Sequence, residues 1–102
     1  YLLSTLLPTL GFLFATPALS AEADLAKAEK VYKRSCATCH GKQGEKPAMG
    51  ESKIINQLQP EEISTALSER KAGNITGAGS PAKQRLSEQD IHNLSEYIQT
   101  LK

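Results

Sequence analysis

The sequence predicts an all-α fold, and three observations carry that prediction. Three stretches repeat apolar residues at spacings of three and four, as a helix with one buried face requires. No stretch alternates apolar and polar residues with the β-branched enrichment of a strand. Gly and Pro gather between the periodic stretches, so the chain is punctuated as helices joined by irregular loops.

The first helix is read over residues 22–35. Ala23, Leu25, Ala26, Ala28 and Glu29 are good helix formers. Leu25, Ala28, Tyr32 and Cys36 recur at helical spacing, with Lys27, Lys30, Lys33 and Arg34 on other faces. After His40 the run from Gly41 to Gly50, broken by Gly44 and Pro47, reads as a loop. The second helix is read over 60–71. Pro60 suits a first helical position, Glu61 and Glu62 favour the positive end of the dipole, and Ile63, Ala66 and Leu67 form the inner stripe. It stops at Gly73, and residues 74–85 read as a polar loop. The last helix has the clearest start, because Ser87 and Asp90 form an N-capping pattern. Ile91, Leu94, Ile98 and Leu101 follow as its buried stripe.

The first helix runs directly into Cys36-Ala37-Thr38-Cys39-His40. Two thiols separated by two residues, with an imidazole immediately after, form the attachment pattern of a c-type haem. The sulfurs would add to the two porphyrin vinyl groups, and His40 would become the proximal iron ligand. Cys-x-x-Cys alone also suits a dithiol centre or half of a zinc site. A zinc site takes about four ligands, whereas the chain has two cysteines and two histidines. The second histidine, His92, stands far away with no partner motif. A dithiol centre of the thioredoxin type would sit in a βαβ unit, and the pattern contains none. A disulfide across so short a loop would constrain little chain.

Tyr1 to Ala21 carries no charge and is rich in Leu and Phe. It closes on Ala18-Leu19-Ser20-Ala21, as a secretory signal peptide closes on a small-residue cleavage point. The chain starts at Tyr1 without a basic leader, so the sequence reads as missing a few N-terminal residues. Pro8, Gly11 and Pro17 interrupt the segment. That leaves less than the ~20 uninterrupted apolar residues of a membrane span, so cleavage is expected rather than anchoring. Residues 22–102 then form one domain, too short to build a large core without a staple such as a cofactor. A formal net charge of +1 gives no argument for nucleic acid or for an anionic membrane.

A helix, Cys-x-x-Cys-His, a Gly/Pro-rich loop, a middle helix, a polar loop and a C-terminal amphipathic helix resemble the small bacterial monohaem cytochromes c of class I. The resemblance covers essentially all of 22–102. Cys36, Cys39 and His40 match the family motif, with support from Gly41, Pro47 and Ala48, from Lys71-Ala72-Gly73, and from Leu86 to Ile91. It implies a compact fold of three to four helices around one covalent haem c. The first helix would cross the last near Leu94 and Tyr97. With the export segment, the resemblance points to a periplasmic, monomeric electron carrier that docks transiently with redox proteins, and no enzyme is expected because no acid/base pair stands near the motif.

One departure stands out. In that family the sixth iron ligand is usually a methionine in the loop before the last helix, and residues 74–85 contain none. The single methionine, Met49, is expected to act as an apolar plug near the haem edge. His92 is expected to be a solvated helix residue. Asn74 and Lys83 lie in the right loop and carry donor atoms, and the sequence singles out neither. Without a thioether the iron would be five-coordinate, water-ligated or bound by nitrogen or oxygen, with a lowered potential. The alternative to a carrier is therefore a protein that binds or senses a small ligand at an open sixth position.

Overall fold

Asp24 opens the folded part of the chain. Its carboxylate accepts a hydrogen bond from the Lys27 amide at 3.0 Å and caps helix α1, Leu25–Ser35. The computed structural model describes residues 22–50 and 52–102; the reading of 1–21 as an export signal lies outside the described residues. Lys33 and Arg34 fill the last turn of α1, where cations complement the helix dipole. Cys36 breaks the helix, and a single turn, α2, runs from Ala37 to His40. Gly41 then takes φ 90, ψ 160, a conformation essentially reserved for glycine.

The loop that follows is tied back to itself. The Asn56 side chain donates to the Gln43 carbonyl at 2.9 Å, and the Asn56 amide donates to the Gly44 carbonyl at 3.1 Å. It contains two short 3-10 turns, Ala48–Gly50 and Ile55–Gln57. Helix α3 spans Pro60–Ala72 with proline at its first position, where the missing N–H would have had no helical partner. The Gln59 amide donates to the Glu62 carboxylate at 2.8 Å. Gly73, at φ 86, ends the helix in the left-handed region. Helix α4, Ser80–Gln84, is short. Helix α5 spans Glu88–Gln99 behind a complete capping box. Asp90 N–H donates to Ser87 Oγ at 2.9 Å, and Ser87 N–H donates to Asp90 Oδ2 at 3.0 Å.

Helices α1 and α3 both pack on α5, and α4 packs on α3. The core is Ala28, Val31, Tyr32, Ile63, Leu86, Ile91, Leu94 and Ile98. Tyr32 and Tyr97 meet across the α1–α5 crossing with ring centroids 5.7 Å apart. The Asp24 amide donates to Asn93 Oδ1 at 2.9 Å, which joins the start of α1 to the middle of α5. Among the described residues there is no strand, and the all-α reading holds.

Several boundaries shift. The first helix begins at Leu25 because Asp24 serves as its cap. Leu25 is 42% exposed, and Val31 takes its place in the buried stripe. The stretch 74–85, read as a loop, contains α4. Ala66 and Leu67 are not core residues: Ala66 is exposed and Leu67 half-buried. The stripe they were assigned to faces a cavity instead.

Candidate functional site

That cavity has a volume of about 670 Å³, within the usual range for cofactor clefts. Cys36, Cys39 and His40 line it from the α1–α2 side, and Ile63, Ala66, Leu67 and Arg70 from α3. Ile55 and Leu58 close it from the loop, Leu94 and Ile98 form its floor on α5, and Lys83 reaches it from α4. The side chains on these walls are predominantly apolar.

One helical turn brings the three motif side chains together. The Cys39 and His40 amides both donate to the Cys36 carbonyl, at 3.2 and 3.0 Å. Residues three and four apart share a face of such a turn, so both sulfurs and the imidazole border one space. Tyr32 holds the far end of the turn, its hydroxyl donating to the Gly41 carbonyl at 2.6 Å. Burial pushes the Tyr32 phenol up to about 12, so it remains a donor throughout the physiological range.

Both cysteines are free thiols, Cys36 half-buried and Cys39 exposed. Burial pushes the Cys36 thiol up to about 11. A reactive dithiol centre instead depends on a depressed thiol. Among the described residues no group of three or more His, Cys, Asp and Glu side chains is gathered to hold a metal ion. Burial, followed by the facing charges of Lys83 and Arg70, pushes the His40 imidazole below its usual value and favours its neutral, ligating form. Its Nδ1 is buried without a hydrogen-bond partner, a state that calls for an explanation. Two free thiols, a neutral imidazole with an orphaned nitrogen and a deep apolar cleft fit a covalently held haem.

The remaining candidates separate cleanly. His92 is exposed on α5, as expected of a solvated residue. Asn74 is engaged with Glu69 Oε1 at 2.9 Å. Met49 borders the cavity but is 76% exposed, so it forms a rim rather than a plug. It is also the one non-glycine residue of the described chain with a positive φ, 56°. Lys83 is half-buried, and burial, then the Arg70 charge, pushes its ammonium below the usual lysine value. Sequence reasoning missed Arg70 as a lining residue, although Ile63, Ala66, Leu67 and Arg70 repeat at helical spacing. An arginine ending an apolar stripe was the available signal.

Residues 23–98 match the family model described as cytochrome c oxidase, cbb3-type, subunit III. The chain is 42% identical to cytochrome c-553 of Helicobacter pylori (strain ATCC 700392 / 26695), over 80% of this chain and 86% of that protein. It is 37% identical to cytochrome c-554(547) of Halothiobacillus neapolitanus, over 78% of this chain and 98% of that one.

Proposed function

The chain belongs to the cytochrome c family, whose members are haem-containing electron-transfer proteins, and on that premise we propose that it is a periplasmic electron carrier with one haem. In this reading Cys36 and Cys39 hold the cofactor covalently and His40 is the proximal iron ligand. When bound, the haem supplies a one-electron iron couple. The observation that carries the reading is the convergence of both free thiols and the orphaned imidazole on one apolar cavity.

The chain's own residues account for the rest. The Tyr32–Gly41 hydrogen bond fixes the turn that presents the three side chains. Apolar side chains of α3 and α5 line the cleft and would pack against the cofactor. Cys39 and Met49 leave one side of the cleft exposed, which suits transient docking of a redox protein at that edge. The apolar segment 1–21 supports export followed by cleavage, with residues 22–102 as the working domain. No helix of the described residues is long and apolar enough to cross a membrane.

Acid acetone extraction tests the attachment. Haem should stay with the wild-type polypeptide and be lost from a Cys36→Ser, Cys39→Ser double variant. Extraction of haem from the wild type would overturn the proposal.

A further inference from the structure

The cavity bordered by the cysteine–histidine turn holds a second nitrogen donor. Lys83 stands on α4, which packs on α3, whereas Cys36, Cys39 and His40 belong to the turn that packs on α1. Both groups line the same cleft. Lys83 has no ion-pair or side-chain hydrogen-bond partner among the described residues. Its side chain folds back along α4, so that a Cβ placed at Gly79 would lie 2.8 Å from Nζ.

Gly79 adopts φ −86, ψ 0, which any residue can take, so the turn itself does not demand glycine. A Cβ there would meet only the mobile end of the Lys83 side chain, which places the amine beside Gly79 at the edge of the cavity. Other donors at the cleft are committed or unsuitable: Lys53 and Thr76 are exposed, and the Glu62 carboxylate accepts from the Gln59 amide. Asn74 is bound to Glu69, and Met49 lies exposed on the rim. Arg70 is a permanent cation that cannot offer a lone pair.

Resting on the covalent-haem reading above, we propose that Lys83 is the sixth ligand of the iron, bound through Nζ in the cleft that His40 also lines. In forming that bond the ammonium releases one proton to solvent and its nitrogen lone pair goes to the iron, whose oxidation state does not change. The alternative role for the same side chain is a point charge that pairs with the carboxylates of the cofactor, and the experiment separates the two.

The test uses the purified mature holoprotein, with covalent attachment first established by acid acetone extraction. Retained haem keeps the covalent reading intact whatever the ligand result. Extractable haem removes that reading, and this inference falls with it. Electron paramagnetic resonance of the ferric protein should show a low-spin centre, and its optical spectrum should lack the weak red band of sulfur–iron ligation. Lys83→Ala and Lys83→Arg should both lose the low-spin signal, and the reduced variants should bind carbon monoxide faster than the wild type. The arginine variant keeps charge and length, so it covers any folding defect in the alanine variant and isolates ligation from ion pairing. A low-spin signal preserved in Lys83→Arg would overturn the proposal. So would a high-spin wild type, or a wild-type low-spin signal abolished by Met49→Leu.

Discussion

At Gly41 the absence of a single methyl group decides how the haem-motif turn is left. An added Cβ would meet only the mobile end of the exposed Glu45 side chain; the requirement comes from the backbone, whose conformation there is strained for any residue but glycine. The sequence marked this glycine as part of a Gly-rich loop and of the family resemblance but not its conformation, because a positive φ is a property of the path and not of composition. Leu94 and His92 were more legible, since helical spacing alone put one inside and the other outside. Leu94 is 1% exposed and also lines the cavity. Leu94→Ala should destabilise the holoprotein by about 2–5 kcal/mol, whereas His92→Ala should change stability by no more than about 0.5 kcal/mol. Urea melts give the comparison, and equal losses would contradict the assigned helix face.

Among the elements, α5 has the most explicit start, and its cap makes stability depend on pH. The Ser87 backbone N–H holds the Asp90 carboxyl below its usual range, assisted by the Ser87 hydroxyl and by Lys27. Asp90 Oδ1 lies 3.6 Å from Lys27 Nζ, so the cap also touches α1. A depressed folded-state value means that the ionised carboxylate stabilises the fold above the ordinary aspartate range. That contribution is lost as pH falls through the lower folded value. Ser87→Ala should cost about 0.5–2 kcal/mol at neutral pH. Asp90→Asn should lose stability relative to wild type at neutral pH, and the difference should shrink in acid. A pH series of denaturant melts reads this directly, and a difference that grows in acid would be inconsistent with the cap. Helix α4 escaped sequence reading for the opposite reason. Its five residues follow two glycines and include Pro81, too little chain for a period to emerge. Its tertiary contact with α3, rather than its own propensity, explains its presence.

For the molecule as a whole, the helix order and the motif were legible because both are written locally. The cavity was not, because it is a space left between α3, α5 and the turn 37–40. Ala66 and Leu67 show the difficulty. Their spacing announces an apolar face, yet spacing does not distinguish a face against protein from a face against a cofactor. Lys83 shows the converse, since a lysine in a polar loop carries no sequence signal that it turns inward. Its position depends on how α4 packs against α3.

The hydrogen bond between Asp24 and Asn93 closes a span of 69 residues. The loop-closure entropy for that length is roughly 4 kcal/mol beyond a length-independent constant, so closure needs the apolar contacts around Tyr32, Leu94 and Ile98 to sustain it. Leu94 and Ile98 face both α1 and the cavity. Seating the cofactor and joining the two ends of the chain therefore draw on the same side chains, and the molecule should open there last. In native-state hydrogen exchange the amides of Tyr32, Leu94 and Ile98 should be the slowest, and those of the exposed stretch 72–79 and of α4 the fastest. If α4 outlasted α1 and α5, the knot between the chain's two ends would not be what holds the fold closed.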